Sequence, residues 1–295
     1  MSGAAMAADL PVTKGPAPAP APVASTDGFD FTFGGKLMSD YISQGSTQSD
    51  HKPSATVYGE LRYNIGGTQL YAGVQPWTVK LITGTPAEVD LYGGVRQTLG
   101  DFSVDVGGIY YEYPGNKRQY TQVGGNYVIN APNPDLTTAT SAKNPSYGEI
   151  YIKPSYNFNS TFTLGGSVFA TNNWGNVGAN NVGLTLSPKI NLPANFSVSA
   201  DLGRYLVGRS STKYGNFKFH DYTAWDAGVS YVYKAATLDL RYYGSDLNKS
   251  RCFDNFGDPA GSLPGTPGTL RSNWCDTRVV ATLSVDFTYK GLVAH

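Results

Sequence analysis

The sequence predicts an all-β fold, a 12-stranded antiparallel up-and-down transmembrane β-barrel. Three observations predict it: segments of alternating apolar and polar residues, connectors that are long and short in turn, and aromatic residues gathered near the segment ends. An even number of strands, with short turns at one end and longer loops at the other, is typical of bacterial outer-membrane barrels. The barrel is predicted to span residues 29–289.

The connectors between the predicted strands alternate in length. The short connectors are 65–67, 99–101, 157–160, 192–195 and 234–236. The long connectors are 43–54, 76–87, 114–146, 172–181, 206–221 and 244–276. Each interval between connectors has the length of one strand. In a closed barrel no strand edge is left unpaired, so the twelfth strand is expected to pair with the first.

The intervals carry apolar side chains at every second position, which is the period of a strand with two different faces. In chain order, the clearest apolar faces are Phe29, Phe31, Phe33, Leu37 and Tyr41 in the first strand; Val57, Gly59, Leu61 and Tyr63 in the second; Val89, Leu91 and Val95 in the fourth; Phe102, Val104 and Val106 in the fifth; Ile150, Ile152 and Tyr156 in the sixth; Leu238, Leu240 and Tyr242 in the eleventh; and Val279, Ala281, Leu283, Val285 and Phe287 in the twelfth. The other five strands fit the same parity less closely.

Alternation alone does not distinguish a membrane barrel from a soluble sandwich, but the placement of aromatic residues does. Near the short turns lie Phe29, Tyr63, Phe102, Phe158, Phe162, Phe196, Tyr233, Phe287 and Tyr289. Near the long loops lie Tyr41, Trp77, Tyr110, Tyr113, Trp174, Trp225 and Trp274. Two aromatic girdles around an aliphatic band match two membrane interfaces. Glycines inside strands, such as Gly73, Gly107 and Gly203, also favour a barrel, because they let the wall bend or leave room for bulky lumen side chains.

The composition argues against some classes of protein. The 295 residues include 22 Lys and Arg and 22 Asp and Glu, so the net charge is zero and nucleic-acid binding has no electrostatic basis. No stretch approaches the ~18 apolar residues that a spanning helix needs. The mean hydropathy of -0.27 is compatible with a barrel, in which only half of each strand faces lipid.

The N-terminal residues predict a processed leader followed by a tail. Residues 5–9, Ala-Met-Ala-Ala-Asp, fit the small-residue cleavage pattern, so 1–7 are interpreted as the end of a signal peptide; an ordinary flexible N-terminus is the alternative. Residues 8–28 are rich in Pro and Ala and predict an extended periplasmic tail. This tail is either a link to peptidoglycan or a passive spacer. Residues 290–295 form a short C-terminal extension.

The polar face of the strands is predicted to line the lumen. Its charged candidates are Lys36, Asp40, Glu60, Arg62, Asp90, Arg96, Asp105, Glu149, Lys153, Asp226, Asp239 and Arg241. Acidic residues outnumber basic residues on this face, so a pore lined by them is expected to have a weak preference for cations. The alternative is that these charges pair across strands and plug a narrow barrel. The long loop 114–146 is expected either to fold inward and constrict the pore or to decorate the surface.

Cys252 and Cys275 are the only cysteines, and both lie in the last long loop. In an oxidising compartment such a pair predicts a disulfide. No cofactor or metal site is expected. The histidines are His51, His220 and His295, and their spacing places no general base beside a nucleophile, so we expect no enzyme activity.

Several segments of the chain resemble the TorF family of porins. They are 36–50, 71–74, 89–95, 147–151 and 275–284. The most specific part is 39–49, with the pattern S-D-Y-x-x-x-G-x-x-Q-S. The resemblance covers most of 29–287, and it implies an outer-membrane barrel of proteobacteria that acts as a porin.

Together these features predict passive diffusion of small hydrophilic solutes across the outer membrane, with short turns in the periplasm and long loops outside. The alternative is a plugged structural or surface-binding barrel without channel activity. The expected partners are outer-membrane lipid and lipopolysaccharide. The sequence is compatible with both a monomer and an oligomer. One departure concerns the C-terminus: outer-membrane barrels commonly end on an aromatic residue, whereas here Phe287 and Tyr289 are followed by 290–295.

Overall fold

The structure is a computed structural model that describes residues 27–81, 85–115, 118–123, 126–129, 139–143, 145–212, 216–257 and 271–293. Only the backbone is described for the three short ranges between 118 and 143. The predicted signal-peptide end and most of the Pro-rich tail lie outside the described residues.

The described residues form seventeen strands and two short helices. In chain order these are β1 (Gly28–Met38), β2 (Ile42–Ser43), β3 (Ser46–Thr47), β4 (Ser54–Ile65), β5 (Thr68–Thr78), β6 (Ala87–Leu99), β7 (Phe102–Glu112), β8 (Arg118–Val123), β9 (Asn126–Ile129), β10 (Ala139–Lys143), β11 (Tyr147–Asn157), β12 (Phe162–Trp174), β13 (Ala179–Asn191), β14 (Phe196–Val207), β15 (Tyr222–Tyr233), β16 (Ala236–Ser245), α1 (Lys249–Phe256), β17 (Arg278–Thr288) and α2 (Tyr289–Val293). Neither helix is long and apolar enough to cross a membrane.

Twelve of these strands form one closed antiparallel barrel, in the order β1, β17, β16, β15, β14, β13, β12, β11, β7, β6, β5, β4. Closure is direct, because β1 pairs with β4 on one side and with β17 on the other, where Gly35 lies opposite Val285. The predicted strand number and the pairing of the first strand with the last are confirmed. Short turns connect the strands at one end, hereafter the short-turn end, and longer segments at the other, the long-loop end.

The two faces of the wall have opposite character. Outward side chains are aliphatic and exposed, with Leu61 at 60% and Leu240 at 57% of full exposure. Their neighbours on the inner face are charged and buried, with Glu60 at 1% and Arg241 at 2%. A soluble domain buries its apolar face and exposes its charges. This wall does the reverse, as a sheet surrounded by lipid must.

The predicted aromatic girdle at the long-loop end is largely wrong. Tyr110 and Trp225 point outward, but five others are buried inside this end: Tyr41, Trp77, Tyr113, Trp174 and Trp274. Trp77 and Trp174 lie inside β5 and β12, on the inner face, and the other three lie where the chain turns inward beyond the strand ends. Phenol and indole groups here meet buried carboxylates. At the short-turn end the prediction is better, since Phe29, Phe158 and Tyr233 are well exposed.

Other local differences occur at the loops and at the C-terminus. The first predicted strand continued to Tyr41, but β1 ends at Met38 and the chain then turns into the small hairpin β2–β3. Within 114–146, β8, β9 and β10 form a separate three-stranded sheet. The two predicted alternatives for this loop, constriction of the lumen and decoration of the surface, both concern side chains outside the described part of the chain. The C-terminal extension begins as α2, directly after β17.

Candidate functional site: the barrel interior

The predicted pore-lining residues all lie on the inner face of barrel strands except Asp40, which follows β1. The alternation along the strands and the burial of the side chains both indicate this orientation, because the residues adjacent to the pore-lining candidates are exposed aliphatic residues that point outward. Most are buried, whereas Lys153 and Asp226 are half-buried. They fall into separate groups on different parts of the wall.

The first group is an ion-pair cluster on β4, β6 and β7. Arg96 donates to both carboxylate oxygens of Glu60, at 2.8 and 3.0 Å, and lies 3.4 Å from Asp105. Its guanidinium also sits 3.6 Å from the ring centroid of Tyr71. Arg62 pairs with Glu60 from the same strand. The bidentate contact fixes the Arg96 guanidinium in one orientation, whereas Arg62 is held by a single contact with Glu60 through its Nε.

The second group lies across the barrel on β14, β15 and β16. Arg241 donates to Asp226 at 2.6 Å and to Asp239 at 3.2 Å, and it also reaches the Ser199 hydroxyl at 2.7 Å. Asp239 in turn accepts from the Ser230 hydroxyl at 2.7 Å. One guanidinium therefore serves two carboxylates, so this wall carries an excess of negative charge when both are ionised.

A third group joins acids to aromatic donors in the long-loop half. The Trp77 indole donates to Asp90 at 3.0 Å and the Tyr111 hydroxyl to Glu149 at 3.0 Å. The Tyr41 hydroxyl donates to a third acid, Glu88, at 3.2 Å. Glu88 is fully buried, and the sequence analysis missed it. Its position two residues before Asp90, on the same face, was the signal that could have found it. All six side chains are buried inside the barrel at this level.

Glycines in the strands leave room for the tyrosine side chains on the inner face. This is one of the two roles that the sequence analysis proposed for them, the other being to let the wall bend. A Cβ at Gly183 or at Gly203 would lie 2.9 or 3.0 Å from the Tyr205 ring, closer than side chains normally approach. Tyr205 itself stacks on Tyr222 with 4.8 Å between ring centroids. The bare backbone at these positions lets large rings lie flat against the inner wall.

The first long loop folds into the barrel mouth. Ser43, Ser46 and Thr47 of the β2–β3 hairpin are buried, and its tip has left-handed backbone at Gln44 and Gly45. The tip presses on the wall, because a Cβ at Gly45 would lie 2.6 Å from the Cβ of Ala224 on β15. The inward-folding loop that the structure shows is thus 39–53, the segment with the S-D-Y-x-x-x-G-x-x-Q-S pattern.

Asp40 is the hub that holds this loop. Its carboxylate accepts from the Ser49 hydroxyl at 2.8 Å and from Arg278 at 2.7 Å, and it also binds the Thr47 hydroxyl and His51. Arg278 begins β17, so the hub ties the first loop to the last strand. Asp40 was predicted to line the pore, and in the structure both of its oxygens are bonded to the loop residues and to Arg278.

The last loop forms a cap above the hairpin. Cys252 and Cys275 are joined by a disulfide with 6.0 Å between their Cα atoms, which confirms the predicted pair. Both are buried against an aromatic cluster that includes Trp174 and Trp274. The Trp274 indole donates to Asp50 at 3.2 Å, so cap and first loop are also bonded to each other.

A row of less buried polar side chains runs along β11, β12 and β13. Lys153, Ser155, Ser167, Thr185 and Ser187 face inward, are half-buried, and lead from the short-turn end toward the hairpin. Where the row ends, a cavity of about 20 Å³ lies beneath the hairpin tip. It is lined by residues that include Gln44, Gly45, Thr185, Asp201, Tyr205 and Asp226.

A family described as "Bacterial protein of unknown function (Gcw_chp)" matches residues 23–260. The chain belongs to this Gcw_chp family. The matched residues contain every barrel strand of this Gcw_chp protein except β17, together with the inward-folded first loop and α1. The comparison with curated proteins finds no match.

Solved structures similar to this Gcw_chp protein include a transporter, a porin and an outer-membrane protein. The Pseudomonas putida toluene transporter TodX has a TM-score of 0.46 at 11% identity, over 90% of this chain and 91% of that chain. The NanC porin has a TM-score of 0.42 at 10% identity, over 88% and 99% of the two chains. OmpT of Vibrio cholerae has a TM-score of 0.40 at 11% identity, over 91% and 100%. Similarity at this level supports no conclusion about solute or mechanism.

Proposed function

We propose that this Gcw_chp protein is a porin-like channel of the bacterial outer membrane, for passive diffusion of small hydrophilic solutes. The resemblance to TorF porins agrees with this function. The exposed aliphatic band and the charged inner face support the membrane location, because a closed barrel satisfies every backbone hydrogen bond within the wall. In this proposal the short turns lie in the periplasm, the long loops lie outside, and outer-membrane lipid and lipopolysaccharide surround the wall.

The half-buried polar row on β11 to β13 is the observation that carries the proposal. It offers four hydroxyls and the Lys153 ammonium group along one side of the lumen, from the short-turn end to Thr185. Polar groups of this kind form hydrogen bonds with a solute and replace the water molecules that it loses on entering a narrow pore. The hairpin tip at Gln44 and Gly45 stands at the end of the row and narrows the path.

Planar-bilayer recording of the purified protein tests this function. We expect discrete but small conductance steps for the wild-type chain, and larger steps for Gly45→Val, because the added side chain collides with Ala224 and pushes the hairpin off the wall. Gly108→Val is the matched control, since the nearest atom to its Cβ lies at 3.6 Å. Absence of steps above background in both the wild type and Gly45→Val would rule out a channel.

A plugged barrel is the second candidate, and a specific observation favours it. In the long-loop half, carboxylates and aromatic side chains such as Glu88 and Tyr111 are fully buried, and the disulfide-bonded cap covers them. Such a barrel would have a structural or surface-binding role. Absence of conductance steps in planar bilayers with both the wild type and Gly45→Val would favour the plugged barrel. We continue to expect no enzyme activity, and a link from the tail to peptidoglycan stays a proposal.

A further inference from the structure

We propose that Asp201 and Asp226, beneath the tip of the first-loop hairpin, form a binding site for one small monovalent cation. The site deepens the proposed channel function and rests on it for any role in transport, since the cavity lies at the end of the polar row. Binding itself can be tested without conduction.

The space for the ion comes from the hairpin and from a missing side chain. The cavity of about 20 Å³ has room for roughly one water-sized particle. Gly203 leaves the wall bare on β14, and the Gln44–Gly45 turn covers the cavity from the lumen side. A larger ligand does not fit without moving the hairpin.

Asp201 supplies an acceptor that the protein leaves unused. The residue is only 5% exposed. Its Oδ1 accepts a hydrogen bond from the Ser187 hydroxyl, but its buried Oδ2 has no hydrogen-bond partner among the residues that the structure describes. Within the same residues Asp201 makes no ion pair. A buried carboxylate oxygen without a partner is costly, so the geometry points to a ligand at Oδ2.

The surrounding charge favours a cation. Asp201 lies directly opposite Asp226 in the pairing of β14 with β15. Arg241 binds Asp226 at 2.6 Å but is shared with Asp239 at 3.2 Å, so one positive charge faces three carboxylates. One added cation beside Asp201 reduces this excess without disturbing the existing pairs.

The lining chemistry indicates an alkali-type ion. The side chains around the cavity offer carboxylate, hydroxyl and amide oxygens, from Asp201, Asp226, Thr185, Tyr205 and Gln44. Hard cations without redox chemistry prefer oxygen ligands. The described residues include no group of three or more His, Cys, Asp or Glu side chains arranged for a metal ion. Asp226 and Asp239 are already paired with Arg241, and Asp201 is the one of the three carboxylates that makes no ion pair among the described residues, so a single positive charge is enough to pair it.

Rubidium is the probe, because it substitutes for potassium and scatters anomalously. Crystals of the full chain grown in rubidium chloride should show an anomalous peak beside Asp201 Oδ2. Asp201→Asn keeps the shape of the side chain but removes its charge, and we expect this variant to lose the peak. Asp30→Asn, an inner-face carboxylate at the short-turn end, is the control and should keep it.

Each outcome decides a separate point. No peak in the wild-type crystal at saturating rubidium overturns the site whatever the variants do, and so does a peak that persists in Asp201→Asn. A peak that disappears only in Asp201→Asn supports it. The same proteins in planar bilayers under a potassium chloride gradient test the channel separately. A rubidium peak without conductance steps in either the wild type or Gly45→Val would leave the site standing and refute the channel.

Discussion

The side chain of Asn255 and the main chain of His220 exchange two hydrogen bonds. The His220 N–H donates to Asn255 Oδ1 at 2.9 Å, and Asn255 Nδ2 donates to the His220 carbonyl at 2.9 Å. His220 Nε2 also lies 2.9 Å from Asp254. These contacts dock α1, in the last long loop, onto the segment that precedes β15. The cap over the barrel is therefore assembled from two loops that are distant in sequence.

Replacing Asn255 by Leu should release α1 from its neighbour. The change leaves two main-chain groups of His220 without partners, at a cost of about 1–3 kcal/mol each. We expect faster amide hydrogen exchange throughout α1, and an unchanged melting temperature of the barrel strands. Asp254→Asn keeps the two Asn255 contacts and serves as the control. Equal exchange rates in α1 of the wild type and Asn255→Leu would contradict this docking.

Reduction of the disulfide should loosen the cap but leave the barrel intact. Cys252 and Cys275 are separated by 23 residues, and in the chain-entropy model such a link contributes about 3 kcal/mol. Mass spectrometry without reductant should show the two cysteine peptides linked. After reduction, trypsin should cleave at Arg271 faster. The double variant Cys252→Ser with Cys275→Ser is the control, and it should be insensitive to reductant.

Removing the charge of Asp40 should release the first loop. Asp40→Asn weakens the charge-assisted bonds to Arg278 and His51, which are worth about 1.5–3 kcal/mol for bonds to charged groups. We expect faster proteolysis within 39–53 and larger conductance steps. Asp276→Asn breaks the exposed pair with Lys249, where only about 0–1 kcal/mol is at stake. If both variants behave alike, Asp40 is not the hub of the loop.

The cluster around Arg96 should show strong coupling. Arg96→Met leaves Glu60 and Asp105 buried without this partner, which we expect to destabilise the barrel by about 3–5 kcal/mol. Glu60 keeps its ion pair with Arg62, whereas Asp105 loses its ion pair, so adding Asp105→Asn removes the uncompensated charge and should restore part of the loss. The heat-induced shift in gel mobility of the folded barrel measures each step of this double-mutant cycle. Additive losses would show that the two side chains are not coupled.

The segment before β15 should lose stability in acid. Partial burial raises the pKa of Asp221, but the Val207 N–H at 2.7 Å and the Lys218 ammonium at 3.4 Å outweigh it and lower the pKa overall. A lowered pKa in the folded state gives stability that is present above the unfolded value, about 3.9, and is lost as the pH falls through the folded value.

Hydrogen exchange of the Val207 amide measures this effect of acid. With correction for intrinsic rates, protection should be constant from neutral pH to about pH 5 and decline below about pH 4. Asp221→Asn should remove the pH dependence, because its side chain does not titrate. A decline of the same size in that variant would assign the acid sensitivity to another group.

The wall of the barrel was largely predictable, whereas the contents of its mouth were not. The period of two on β1, β4, β6, β11, β16 and β17 sorts Leu61 outward and Glu60 inward in both sequence and structure, because facing is a local property of an extended chain. Tyr41 and Trp77 were predicted as a lipid-facing girdle, yet they stack inside the mouth with 4.2 Å between ring centroids. Nothing in their spacing indicates that the backbone turns inward after Met38.

The candidate site was likewise predictable only in part. The inner-face carboxylates Asp226 and Asp239 were predicted as lumen residues, and their shared partner Arg241 with them. That Asp201 keeps one oxygen unpaired beneath Gln44 and Gly45 depends on the hairpin reaching across to β15. This contact joins positions about 180 residues apart, and such non-local contacts leave no periodic signal.

The sequence by itself determined the number of strands, which face of each strand points outward, and the cysteine pair. Alternation and turn spacing are local properties of the chain, and two cysteines allow only one pair. The tertiary structure alone decided that loop 39–53 enters the lumen, that Asp40 and Asn255 hold the mouth together, and that a cavity remains beside Asp201. Those features arise when side chains from distant strands compete for the same small interior, where volume, charge and hydrogen bonding must be satisfied together.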